Sequence, residues 1–160
     1  MRQVKTHFTI MLALALCLGL FSGNCFAQSM YDGISGPEMQ RILNNMGFST
    51  ELTRDDAGDP LINSSEDGLN FQVYFYNCTN DVCEAIQFYS GFTQTNNPSA
   101  ESINEWNTTK RFGRAYRNNN GDSRVEMDAL VTGGVTEQHI RNLASTWKIV
   151  LQQFAQHINW

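Results

Sequence analysis

LNFQVYFYNCTNDVCEAIQFYSGF, residues 69–92, consists of two strand-like runs meeting at a short polar segment that is flanked by Cys78 and Cys83. Residues 69–77 and 83–92 are rich in valine, phenylalanine and tyrosine and bounded by turn-forming residues, the composition of half-buried β-structure. If the two cysteines lie opposite each other, every pair in the hairpin follows. Phe75 then faces Ile86, Val73 faces Phe88 and Leu69 faces Phe92 on one side of the sheet. Tyr76 with Ala85, Tyr74 with Gln87, Gln72 with Tyr89 and Asn70 with Gly91 fall on the other. A slip of one residue would mix the two sets, so the apolar pattern and a Cys78–Cys83 disulfide support each other. Free thiols are the alternative, and a metal pair would need further ligands where no histidine stands nearby.

The other two cysteines, Cys17 and Cys25, belong to an N-terminal address. Arg2 and Lys5 precede an almost unbroken apolar run over residues 8–21, and Cys25-Phe26-Ala27 supplies cleavage-type residues. That is the pattern of a secretory signal peptide cut after Ala27. Its apolar core falls short of the roughly 20 residues a membrane span needs. Acylation of Cys25 is the competing reading, although Asn24 is larger than the small residue that usually precedes a lipidated cysteine. Cleavage leaves 133 of the 160 residues, and because Arg2 and Lys5 depart with the leader the formal charge moves from −5 to −7. The expectation is a periplasmic or secreted protein, where disulfides form by default, with one domain over residues 35–160 after a short flexible lead at 28–34. The acidic balance speaks against nucleic-acid binding, which needs clustered Lys and Arg.

Outward from the hairpin, Ser35 and Glu38 form a capping box with Pro37 in the first turn, and Met39, Ile42, Leu43 and Met46 recur at helical spacing before Gly47. Residues 48–53 and 61–65 read as strands joined by the acidic loop Asp55-Asp56-Ala57-Gly58-Asp59-Pro60. Asn96-Asn97-Pro98 breaks the sheet; Ser99 caps a helix carrying Ile103 and Trp106, with Lys110's stem alongside. Strands are expected over 111–118 and 123–131, turning at Asn119-Asn120-Gly121-Asp122. Ile140, Leu143, Ala144, Trp147, Val150, Leu151, Phe154 and Ile158 then trace one stripe of a long helix. The order α-β-β-β-β-α-β-β-α predicts an α+β fold, a single antiparallel sheet covered by helices.

Chemistry is sparse. His139 and His157 are the two histidines after the leader; both fall on the last helix, five turns apart, and read as surface residues. No nucleophile elbow, zinc motif or phosphate loop is present, so no enzyme activity and no cofactor are expected. Asp55, Asp56 and Asp59, and likewise Asn118, Asn120 and Asp122, lack calcium-loop spacing and use ordinary turn chemistry. Lys110, Arg111, Arg114 and Arg117 form the one basic run; pairing with Glu126 or Asp128 competes with an anion or partner site. Tyr74, Tyr76 and Tyr89 share the face opposite the core, which is either a partner-binding surface or covered by a helix within the monomer.

Gly36-Pro37-Glu38-Met39, Asn104-Glu105-Trp106-Asn107, Arg111-Phe112-Gly113-Arg114-Ala115-Tyr116 and Glu126-Met127-Asp128 together resemble the YbjN family, described as bacterial sensory transduction regulators. The resemblance covers residues 35–158. It implies a fold similar to type III secretion chaperones, one that often dimerises and binds other proteins. A leader and a cysteine pair set this chain apart from intracellular members. The expected function is a non-enzymatic, exported protein-binding or chaperone-like regulatory module of the bacterial envelope, with an unidentified protein or a second copy as partner. A periplasmic sensor of a small ligand or ion is the alternative.

Overall fold

A computed structural model describes residues 30–93 and 98–160; the expected leader and the Asn96-Asn97 part of the expected break lie outside them. In chain order the elements are β1 (Met30–Tyr31), β2 (Ile34–Ser35), α1 (Gly36–Asn45), β3 (Ser49–Arg54), β4 (Pro60–Glu66), β5 (Leu69–Thr79), β6 (Val82–Phe92), α2 (Ala100–Thr109), β7 (Arg114–Arg117), β8 (Ser123–Leu130), β9 (Val135–Thr136) and α3 (Glu137–His157). The main sheet is antiparallel, in the order β3-β4-β5-β6-β8-β7, with β2 added to β6. The fold is α+β. It departs from the expected order by three two-residue strands, β1, β2 and β9, each too short to show a period of two in sequence. From Met30 onward the lead is therefore paired chain: Met30 and Tyr31 lie opposite Thr136 and Val135.

At the centre, Cys78 and Cys83 are opposite each other and joined by a disulfide, with Cα atoms 4.0 Å apart. Phe75↔Ile86, Val73↔Phe88, Tyr76↔Ala85, Tyr74↔Gln87 and Gln72↔Tyr89 follow in register. The strands run past the cysteines to Thr79 and Val82, and the turn is Asn80-Asp81, both at positive φ. Asn and Asp tolerate that conformation, and such two-residue turns match the twist of a hairpin. At its other end the β5–β6 ladder stops at Gln72↔Tyr89; Gly91 and Phe92 pair with Arg124 and Ser123 of β8 instead. Strict alternation would place the disulfide on the tyrosine side, yet Cys83 is buried in the core beside Ile34. Asn77, at φ 55°, interrupts the alternation just before the cysteine.

All three helices cover one face. Trp147 of α3 stacks on Phe88 at 5.6 Å and meets Phe71 edge-on at 6.0 Å, while Trp106 of α2 and Phe92 both pack against Phe154. Met39, Ile42 and Leu43 bring α1 into the same cluster. Ser35 donates its N–H to the Glu38 carboxylate at 3.0 Å, completing the reach-back half of the capping box. Glu137, in the first turn of α3, accepts from Arg41 at 2.9 Å and Arg141 at 2.7 Å, tying α1 to α3.

β7 begins three residues later than expected. Gly113 holds φ 81°, its carbonyl accepts from the Trp106 indole at 2.9 Å, and a Cβ there would meet Val150 at 2.5 Å. The chain therefore reaches the sheet at Arg114, and Arg111 is not in the strand.

Two outcomes follow. Replacing both cysteines by serine removes a short loop constraint from the unfolded chain and should cost about 2 kcal/mol, read as a lower urea midpoint; an unchanged midpoint would contradict the bridge. The two arginines hold the Glu137 carboxyl below its ordinary value. Its contribution is then present above the ordinary carboxylate range and lost as pH falls through the depressed value. Glu137→Gln should thus narrow the gap in thermal midpoint between neutral and acid pH, whereas an unchanged acid limb would deny the linkage.

Candidate functional site on the uncovered sheet face

Because every helix packs on one side, the opposite side of the sheet is open among the described residues. Alternation along β5 and β6 sends Tyr74, Tyr76 and Tyr89 there together, as their cross-strand pairs require. The Tyr74 and Tyr89 rings meet edge to face at 5.8 Å and 87°, a favoured aromatic geometry. Tyr76 is 43% exposed.

Two of the three phenols are held by amides. Tyr74 donates to Gln72 Oε1 at 2.9 Å, and Gln72 donates onward to Asn63 Oδ1 at 2.9 Å. Tyr76 donates to Gln87 Oε1 at 3.3 Å, and Gln87 donates to Asp128 Oδ1 at 2.7 Å. These bonds cross from β4 to β8 and fix the Tyr74 and Tyr76 rings. Burial, followed by the neighbouring Tyr89, Asp55 and Asp56, raises the Tyr74 pKa above the usual phenol value. Burial, then Asp128, Tyr74 and Glu126, does the same for Tyr76.

The array extends beyond the three expected residues. Tyr116 of β7 stands on the same face opposite Arg124, its hydroxyl 3.4 Å from Glu126 Oε2. Alternation alone puts Tyr116 on the face of Arg114, whichever residue begins the strand. Next to Tyr89 a cavity of about 440 Å³ is lined in part by Asn63, Asn70, Gln72 and Arg124. Gly91 makes room for it: a Cβ there would lie 3.1 Å from the Arg124 guanidinium.

The basic run divides. Arg114 pairs with the buried Glu126, one of the two carboxylates expected to meet the basic run, and Arg117 donates to the Gly121 carbonyl at 3.3 Å. Lys110 lies 5.7 Å from the Trp106 ring centroid. The acidic loops bind their own backbone: Asp55 Oδ1 accepts from Ala57 and Asp59, and Asn118 Oδ1 accepts from Asn120 and Asp122. His139 is exposed, as expected. His157 is not a free surface residue, because its Nε2 lies 2.8 Å from the Ser102 carbonyl and joins α3 to α2. No helix among the described residues is long and apolar enough to cross a membrane.

The family model described as "YbjN: Putative bacterial sensory transduction regulator" matches residues 38–160, from the first turn of α1 to the last residue. No curated protein and no solved structure matches the chain. All of α1 but its first two residues, and every later element including the tyrosine face, fall within that match, and the chain belongs to the YbjN family.

Proposed function

We propose that this chain is a non-enzymatic, exported protein-binding or chaperone-like regulatory module of the bacterial envelope, and that Tyr74, Tyr76 and Tyr89 dock the partner. One observation carries the reading: an antiparallel sheet covered on one side, whose other side presents tyrosine rings, those of Tyr74 and Tyr76 fixed by amide hydrogen bonds and that of Tyr89 packed edge to face on Tyr74. Tyrosine suits such a surface, since it offers a large rigid ring with a polar tip and loses little entropy on binding. Helices gathered on one side of a sheet are also the layering a chaperone-like fold requires. The leader at residues 1–27 and the Cys78–Cys83 bridge support export, because such bridges persist in oxidising compartments. Family membership supports a regulatory or binding role over catalysis.

Tyr74→Ser combined with Tyr76→Ser should leave the thermal midpoint close to that of the parent and weaken association about tenfold or more, the scale of a hot-spot pair. Capture from envelope extract and size-exclusion light scattering measure it, the latter detecting a second copy as partner. Association equal to the parent by both would refute the surface. The same interaction should survive mild alkali. Phenols with raised pKa stay neutral through and somewhat above the ordinary phenol range, about pH 10, so stability and docking hold below that value. Both fade as pH climbs through the raised values and phenolate charge forms beside Asp128 and Glu126. Ultraviolet titration of tyrosinate alongside the binding curve checks the coincidence, and loss of binding well below the phenol range would contradict it.

A further inference from the structure

β8 outruns its outer neighbour. The β7–β8 ladder runs from Arg117↔Ser123 to Arg114↔Glu126 and stops, while β8 continues through Met127, Asp128, Ala129 and Leu130 paired on the β6 side alone. Val131 N donates to Glu84 O of the β6 strand at 2.8 Å. A residue of an antiparallel strand points its N–H and C=O to the same side, and the side alternates. Asp128 and Leu130, out of step with Val131, therefore turn their backbone groups toward the free edge.

The gap is built in by the sequence. Had the chain run straight back from Arg114, Phe112 would have continued the ladder opposite Asp128. Gly113 prevents this through its left-handed backbone, the Trp106 indole bond to its carbonyl and its contact with Val150. Between the diverted segment and β8 lies a cavity of about 660 Å³, lined by Lys110, Arg111 and Phe112 on one side and Met127 and Asp128 on the other. Phe112 is 58% exposed and Leu130 68%. An exposed apolar edge of this kind is what proteins normally blunt or cover.

We propose that the free edge of β8 is a strand-addition site for an extended acidic segment of a partner protein, seated between Met127–Leu130 and the diverted residues 110–113. The backbone of β8 supplies the ladder, Phe112 and Leu130 supply apolar contact, and charge selects the occupant. Lys110 and Arg111 have no carboxylate partner among the described residues, Arg114 is matched by Glu126, and the Asp128 carboxylate accepts from Gln87. The cleft is thus net positive on a chain of formal charge −5. Acidic side chains on an incoming strand meet the two unmatched cations; basic ones are repelled by them. This site shares only its class, protein binding, with the tyrosine face and is tested apart from it.

Fluorescence anisotropy with the purified protein decides the matter, using a labelled short peptide of alternating valine and glutamate. Two companion peptides carry lysine for glutamate, or N-methyl groups on every second amide to remove the donors of one edge. Saturable binding of the glutamate peptide is expected, weakened about tenfold or more by Lys110→Glu with Arg111→Glu, and lost with the N-methylated peptide. Tyr74→Ser with Tyr76→Ser should leave it unchanged. Absence of saturable binding, equal binding of the lysine peptide, or undiminished binding of the N-methylated peptide would each overturn the proposal. The peptide comparisons use the parent protein alone, so the outcome does not depend on how any variant folds.

Discussion

The β5–β6 hairpin and its covalent clasp set the geometry of everything around them. β4 pairs with β5, and both β8 and β2 pair with β6, so a shift in the hairpin would propagate to every other strand of the main sheet. The same register delivers Phe71, Phe75, Phe88 and Phe92 to the buried side, where Trp147 and Phe154 meet them. Aromatic residues dominate the energetics of such a core because each removes a large area from water. The clasp itself contributes modestly; its larger effect is to exclude the neighbouring registers.

Packing all three helices on one side leaves the molecule with a sheet surface that must remain compatible with water. It is met by side chains with an apolar body and a polar end, cross-linked by Gln72, Gln87, Asn63 and Asp128. Such a surface costs little to expose and has its rings already oriented, which lowers the ordering cost of association. In the docking role proposed for this face, stability and recognition draw on opposite sides of the same strands.

The hairpin register was legible because its signal is doubly encoded, in alternation and in the positions of two cysteines. The last helix was legible because its stripe persists over many turns: Ile140, Ala144, Trp147, Val150, Leu151, Phe154 and Ile158 are buried along it, and Leu143 partly so. What escaped was set by single residues acting through tertiary contacts. Asn77's left-handed backbone moves the disulfide toward the core. Gly113, pinned by an indole seven residues earlier, delays β7 and removes Arg111 from it. The two-residue strands carry no periodicity at all and exist only because distant partners are in place. In the candidate site, the tyrosines could be placed on a common face from sequence, whereas the amide bonds holding Tyr74 and Tyr76 could not, since polar side chains on a strand do not announce their partners.

Those distant partners have a consequence for how the protein is made. Met30 and Tyr31 lie against Thr136 and Val135, and the Gly33 amide donates to the Val131 carbonyl. The first described residues thus find their places only after the chain about a hundred positions downstream has arrived. Contacts so remote in sequence slow folding, since the loop must close before it is rewarded. A partly synthesised chain cannot complete the domain, and premature compaction on the ribosome is disfavoured by topology.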